Sequence, residues 1–293
     1  MTKFNHYSSL YLDFKKHELK NSTFDKYTNI VKNRIDPIFK NIDIKTIKPS
    51  DVKKWLYGID DVGSKSKRHY LGVLSGIFQE ALYDEVIEKN PVRLVRLPKY
   101  DKPIIKPFNS DEVKLIMDNT VDNNYKYYLA IAFYTGMRSG EIIGLKKEDI
   151  DFQNKTIKVK RSRSRFGEST PKTKGSIREI PIIQLLEPFI QELYNLHDNE
   201  YLFITQYKKP YMDTNVFTNK HWIPSLEKLK IEYRRPYNTR HTYATNMLYK
   251  ELVSPVQLAQ LLGHANTQMV YDVYVSYLES NYKDFDRSMS IYK

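Results

Sequence analysis

No cysteine occurs among the 293 residues, so disulfides, thiolate metal sites and a cysteine nucleophile are all excluded. No long uncharged apolar run is present, which argues against a membrane-spanning helix and a membrane partner. Nothing near Met1 has the layout of a signal peptide, so a cytoplasmic protein is expected. Fixed-period repeats and low-complexity tracts are missing as well. These absences leave an ordinary globular chain, long enough for two domains that each bury a core.

What the sequence does hold is positive charge, unevenly spread. The formal net charge is +12. Residues 1–106 carry 21 Lys and Arg against 13 Asp and Glu, whereas residues 107–293 carry 26 against 22. A basic surplus concentrated in one third of a chain suggests a polyanion partner, and nucleic acid is the commonest. The alternative is a solubility surplus with no partner.

Residues 6–19 set Tyr7, Leu10, Tyr11 and Phe14 on one helical face. A second helix starts at the cap-forming run Asn21-Ser22-Thr23, turns Phe24, Tyr27, Ile30 and Val31 inward, and ends before Pro37. A third opens at Ser50-Asp51 with Val52, Trp55, Leu56 and Ile59 inward. A fourth runs from Ser64 or Ser66 to Val86 with Tyr70, Val73, Leu74, Ile77, Phe78, Ala81 and Leu82 inward. Four helices with short connections and no strand pattern read as an all-helical domain over 1–90. Its outward positions include Lys32, Arg34, Lys53, Lys54, Lys65, Lys67 and Arg68. Singly these are solvated charges; together they suggest a face for a DNA backbone.

Residues 91–107 place four prolines among Arg93, Arg96, Lys99, Lys102 and Lys106, and read as a basic, proline-stiffened linker without a core. Over 108–293 a helix begins at Asn109-Ser110-Asp111-Glu112, with acids matching the helix dipole. Another covers 125–134. The period then changes to two at Thr156–Lys160, with a turn at Phe166–Ser169 and a second pairing segment over Pro171–Pro181 that carries Lys172 and Lys174 near its tip. Helices follow at 184–196, 214–230, 239–250, 255–262 and 267–278. Ser254-Pro255-Val256-Gln257 has the capping-box form, and Gly263 stops that helix. The fold class expected is mainly α with a small antiparallel β-sheet, in two domains, the second mixed α+β.

The most informative stretch is Ala130–Leu145. An apolar helix halts at Thr135-Gly136 and restarts with Arg138 and Glu141 in its first turn. Outward amides beside Arg138 would make a place for a phosphate; the alternative is an ordinary corner with a surface arginine. Glu141, three residues on, shares the face of Arg138, as an orienting carboxylate or as a plain surface pair.

Four features stand in order: Thr135-Gly-Met-Arg-Ser-Gly-Glu141, Pro171-Lys-Thr-Lys174, Tyr237-Asn-Thr-Arg-His-Thr-Tyr-Ala244, and Leu261-Leu-Gly-His-Ala265 with Tyr274 ten residues after His264. In this order they resemble the tyrosine recombinase family, the phage integrases and Xer-type or lambda-integrase-like recombinases. The resemblance implies a helical, SAM-like core-binding domain at 1–90, the linker at 91–107 and a catalytic domain at 108–293. It implies a site-specific DNA strand transferase that cleaves and rejoins strands through a 3′-phosphotyrosine, for integration or excision of a phage or mobile element.

A phosphodiester repels nucleophiles, and its transition state spreads charge over the nonbridging oxygens, which guanidinium forks neutralise at any usable pH. By resemblance Arg138 and Arg240 are those forks; the alternative for Arg240 is a structural ion pair. By the same resemblance Tyr274 is expected to be the nucleophile, with Tyr271 and Tyr277 at helical spacing as competitors; the alternative is that all three are packing aromatics. A phenol with a pKa of about 10 needs a proton acceptor and nearby cations. The resemblance implies Lys172 as the general acid for the leaving 5′ oxygen, with Lys174 open in that role and both open as phosphate contacts. His264 matches the family's second histidine, a phosphate donor, and the alternative is a helix cap. Where the family commonly has His three residues before its second arginine, this chain has Tyr237, which donates well but accepts protons poorly. The identity of a general base is left open, and His241 reads as structural.

The resemblance implies a prokaryotic protein working on DNA, with no metal, ATP or other cofactor. Its partner is double-stranded DNA at a specific site, on which a homotetramer assembles, with accessory DNA-bending or directionality factors as further partners. The tail at 279–293 is expected to dock on a neighbouring subunit. A start so near Met1 implies either no amino-terminal arm-binding domain or a trimmed chain. Two other functions fit the residues: a DNA-binding protein of this fold with lost or weak catalysis, and a type IB topoisomerase-like enzyme that relaxes DNA.

Overall fold

The computed structural model describes residues 2–96, 100, 105–169 and 177–275, and the chain divides into two compact units, Met1–Pro103 and Ile104–Lys293. The first is helical. Helix α1 (Phe4–Glu18) buries Phe4, Tyr7, Ser8 and Tyr11. Its buried stripe begins one turn earlier than the sequence pattern suggested, and Phe14 lies beyond the end of it, exposed.

Helix α2 (Asn21–Ile30) does not stop before Pro37. It passes into a π-helical turn, Val31–Ile35, and then into α3 (Asp36–Phe39), where Pro37 sits in the first turn. Proline lacks the N–H that bonds back one turn, and its ring crowds that carbonyl. The wider π turn just ahead of it relieves the conflict. Helices α4 (Pro49–Tyr57) and α5 (Ser64–Tyr83) complete the unit. Phe4, Phe39, Leu56, Leu74 and Phe78 are fully buried, and Trp55 Nε1 donates to the Arg34 carbonyl at 2.8 Å. Pro91–Leu94 forms a 3-10 turn whose Pro91 and Val92, with the following Val95, are buried against this core. The segment expected from residue 91 as a linker without a core therefore begins later, because two valines are hidden among its prolines and arginines.

In the second unit α6 (Ser110–Asp118) starts with the reciprocal Asn109–Glu112 cap. Helix α7 (Asn123–Thr135) is buried on nearly every side, as its continuous apolar sequence requires. Strands β1 (Ile150–Asp151), β2 (Thr156–Val159) and β5 (Arg178–Pro181) form an antiparallel sheet in the order β1-β2-β5, with Ile157 opposite both Ile150 and Ile180. Strands β3 (Ser162–Ser164) and β4 (Gly167–Ser169) make a separate hairpin around Arg165-Phe166. Only a turn was expected there, since strands this short and polar carry no apolar alternation. Lys172 and Lys174, Tyr277 and the tail at 279–293 lie outside the described residues.

Helix α9 (Glu187–Asn195) packs on α7. The continuous helix expected over 214–230 is α10 (Asn215–Phe217), a π turn at Thr218–Trp222, and α11 (Ile223–Lys228), in which Pro224 again follows the π turn. Helix α12 (Asn238–Tyr249) also packs on α7. Helix α13 (Pro255–Leu262) has the full Ser254–Gln257 capping box, and α14 (Gln268–Val270) leads into a π turn at Tyr271–Val275. Among the described residues no helix is long and apolar enough to cross a membrane.

Candidate active site

Gly136 ends α7 in the left-handed conformation at φ 63°, where a Cβ would meet the Tyr243 ring at 2.5 Å. Arg138 then stands at the N-cap, just ahead of α8 (Ser139–Ile142), and not within its first turn. Its backbone N–H donates to Glu141 Oε2 at 2.9 Å, and its Nη1 to Oε1 at 2.8 Å. One of the amides expected to face a phosphate is thus taken by Glu141.

Glu141 is 4% exposed, so it is not a surface pair. Arg178 of β5 forks onto the same carboxylate, Nη2 at 2.8 Å and Nη1 at 3.3 Å, while its Nε donates to the Leu261 carbonyl at 2.6 Å. Burial works to raise the Glu141 pKa; the Arg178 hydrogen bonds and charge, joined by Arg138, outweigh it and hold the carboxyl below its ordinary value. The carboxylate stays ionised and aligns two guanidinium groups. Arg138 keeps 36% of its side chain exposed.

Arg240, on α12, is 1% exposed. Its Nη1 donates to the Gly136 carbonyl and its Nη2 to the Leu262 carbonyl, both at 2.7 Å, so it latches the ends of α7 and α13. Nη2 also meets His264 Nε2 at 3.0 Å. Arginine only donates, so His264 Nε2 accepts and the imidazole proton sits on Nδ1. Among the described residues no salt bridge joins Arg240 to a carboxylate; backbone carbonyls take the place of the structural ion pair the sequence left open. Burial, then the Arg138 charge, pushes Arg240 down to about 10, still protonated at neutral pH. Burial and the surrounding guanidinium groups push His264 down to about 4. Arg240 Nε and His264 Nδ1 are both buried without a partner. Two unmatched N–H donors beside three guanidinium groups suit an anion with several acceptor oxygens.

Tyr274 lies in the last described π turn, 2% exposed, packed in the cluster that holds Ala244, Leu258 and Leu262. Its hydroxyl is 3.0 Å from His241 Nδ1. Burial pushes the phenol up, and the charge of Arg240 works against that shift. Burial and Arg240 push His241 down to about 4. Tyr237, 48% exposed, stands edge-on to His241 with ring centroids 5.1 Å apart. Tyr271, in the same turn as Tyr274, is 47% exposed and is not part of this cluster.

The second unit therefore gathers Arg138, Glu141, Arg240, His264, Tyr237 and Tyr274. Two members escaped sequence reasoning. Arg178 carried a signal: it alternates with Glu179 and shares the inward register of Ile180, an odd place for arginine on a half-buried strand. His241 was visible beside Arg240 but read as structural. In the first unit Lys65 and Arg68 are exposed, and Lys67 half-buried, at the start of α5. Arg93 and Arg96 are exposed, and Arg93 donates to Gln79 at 2.8 Å. Among the described residues no group of His, Asp and Glu is placed to hold a metal.

Residues 106–280 match the pattern described as the phage integrase family, and residues 3–58 match the phage integrase N-terminal SAM-like domain. The chain belongs to the phage integrase family. This integrase is 28% identical over 290 residues to a tyrosine recombinase XerC-like protein of Caldanaerobacter subterraneus subsp. tengcongensis, a match that covers 87% of this chain and 74% of that one. Its fold is similar to the Tn1549 transposon integrase in complex with circular intermediate DNA, with TM-score 0.79 and 19% identity over 97% of this chain and all of that one. It is similar also to lambda integrase solved as a tetramer bound to a Holliday junction, with TM-score 0.76 and 18% identity over 91% and 79% of the two chains. Membership makes this integrase a DNA recombinase by family; the roles of its residues rest on the geometry above.

Proposed function

We propose that this integrase is a site-specific DNA strand transferase that cuts and rejoins DNA through a 3′-phosphotyrosine made by Tyr274, in the integration or excision of a phage or mobile element. One observation carries the reading. Tyr274 Oη lies 3.0 Å from His241, beside Arg240 on α12 and within the reach of its charge, while Arg240 and the His264 it contacts carry unmatched N–H donors that, together with the partly exposed Arg138, suit the nonbridging oxygens of one phosphodiester. Glu141 and Arg178 hold that cluster in place. Attack by the phenol forms the P–O bond to tyrosine and breaks the bond to the 5′ oxygen, which leaves as a hydroxyl. Lys172 is the candidate to supply its proton. The ester keeps the energy of the broken bond, so resealing needs neither ATP nor a metal.

Residues 1–90, with Lys65, Lys67 and Arg68, the basic segment with Arg93 and Arg96, and Lys174 of the 171–181 segment are assigned to the DNA backbone, where lysine and arginine supply affinity without sequence choice. A homotetramer assembled on two duplexes is the working form, by analogy with the lambda integrase tetramer. The test uses a pool of randomised duplexes, each nicked so that the cleaved fragment diffuses away. A protein–DNA adduct that survives detergent is expected from the wild type and is absent from Tyr274→Phe. No adduct from the wild type, or one that persists in the variant, overturns the proposal. Salt-sensitive binding without any adduct would favour the non-catalytic DNA-binding reading, for which the departure at Tyr237 is the one supporting feature.

A further inference from the structure

The family position that commonly holds a histidine is Tyr237 here, and a neutral phenol is a poor proton acceptor. The reaction proposed above still has to remove the proton of Tyr274, a group that burial makes harder to ionise. We infer that His241 is the catalytic base that takes the Tyr274 proton during attack on the phosphate. The inference rests on that reaction and deepens it.

Position comes first. His241 Nδ1 is 3.0 Å from Tyr274 Oη, within the range for proton transfer between heavy atoms. No other side-chain hydrogen bond from Tyr274 is found among the described residues. His241 follows Arg240 directly on α12, so the acceptor and the guanidinium that meets the phosphate are carried by one rigid segment. Tyr237, one helical turn earlier, packs its ring edge against the imidazole at 77° between planes and fixes its tilt.

Charge state comes next. A base must be empty to receive a proton, and burial with the Arg240 charge keeps the His241 imidazole neutral at working pH. With its proton on Nε2, Nδ1 accepts the phenolic O–H. Two other potential acceptors nearby, an imidazole and a carboxylate, are already committed: His264 Nε2 accepts from Arg240, and Glu141 is saturated by Arg138 and Arg178. When a phosphodiester enters, its negative charge offsets the Arg240 field at His241 and favours the imidazolium that forms. The balance is complete. The phenol proton moves to Nδ1, Tyr274 Oη bonds to phosphorus, and the 5′ oxygen departs with a proton from the general acid. On resealing, the 5′ hydroxyl gives its proton back to the general acid as it attacks phosphorus, the tyrosine oxygen leaves, and His241 returns the proton to it.

The experiment uses the full chain and a duplex recovered as a covalent adduct from the randomised pool, at saturating DNA and single turnover. His241→Asn keeps an amide where Nδ1 stood, able to hydrogen-bond but not to take a proton. Cleavage is expected to slow roughly a hundredfold to ten-thousandfold. Its rate should rise in proportion to hydroxide across the neutral range, where the wild type is flat. The defect should persist on a duplex whose scissile 5′ oxygen is replaced by sulfur, because a thiolate leaves without an acid but the phenol still needs a base. A wild-type rate in the variant, or a defect erased by the sulfur leaving group, overturns the inference. Fluorinated tyrosines at position 274 in the otherwise unaltered protein give a check that needs no folding of a variant. A weak dependence of rate on phenol acidity supports assisted attack, and a rate that tracks the ionised fraction overturns it. Wild type that forms no adduct at all sinks the cleavage reaction itself, a distinct failure.

Discussion

The two units treat their arginines in opposite ways. In the first, Arg34 pairs bidentately with Asp61 at 2.6 and 3.0 Å on the surface, and Arg93 reaches Gln79 in solvent, while the core is assembled from Phe4, Phe39, Trp55 and Phe78. In the second, Arg240 and Arg178 are buried and bonded to the carbonyls of Gly136, Leu262 and Leu261. Buried cations are costly unless every donor is matched. Where such cost is tolerated, the charge serves something other than solubility, and here it surrounds the candidate phosphate site. Surface charges are replaceable one at a time; the buried set is part of the frame.

The sharpest way to break this contrast is Arg240→Met. It removes a cation from the site and leaves two buried carbonyls without donors at about 1–3 kcal/mol each. Adduct formation is expected to fall below detection and the urea midpoint to drop; a variant that loses activity with an unchanged midpoint refutes the latch. Next is Arg178→Met, which strands Glu141 with one partner. Breaking a buried pair typically costs about 3–5 kcal/mol, whereas Arg34→Met in the first unit should leave the urea midpoint near that of the wild type.

Acid supplies the third comparison. His241 and His264 are held at about 4, below their ordinary 6.5, so between these values the unfolded chain binds protons that the folded chain refuses. Stability contributed by the pair is fully present above pH 6.5 and is lost progressively as pH falls toward 4. Melting curves of the second unit should show this slope, and His264→Asn should flatten part of it. The smallest effect is expected at Lys65→Gln: binding weakened on all sequences alike, with the salt slope reduced by about 1, and single-turnover cleavage at saturating DNA unchanged.

The sequence made the helical architecture legible wherever an apolar face and a cap coincide, as at Asn109–Glu112 and Ser254–Gln257. It misled at Pro37 and across 214–230, because a π turn lets a proline sit inside a continuing helix and leaves no compositional mark. The 162–169 hairpin was invisible for want of apolar residues to alternate. In the candidate site, Arg138, Glu141, Arg240, His264 and Tyr274 could be named by resemblance, since each lies in a short motif like those of the family. The links between motifs could not. That Arg178 reaches Glu141 across 37 positions, or that His241 faces Tyr274 across 33, depends on how β5, α8, α12 and the last π turn pack, which is a property of the tertiary fold.

The latch made by Arg240 bears on how such a protein would decay. A descendant freed from selection for chemistry still needs the ends of α7 and α13 tied together, so this arginine would outlast the activity it once served. The Tyr274 ring is packed as well, but its hydroxyl and the His241 imidazole tie no helix ends together, so a phenylalanine at 274 or a change at 241 would come first. Among degenerate copies of this chain, retention of the arginine alone marks ancestry; under the proposed reaction, retention of Tyr274 together with His241 marks an enzyme still in use.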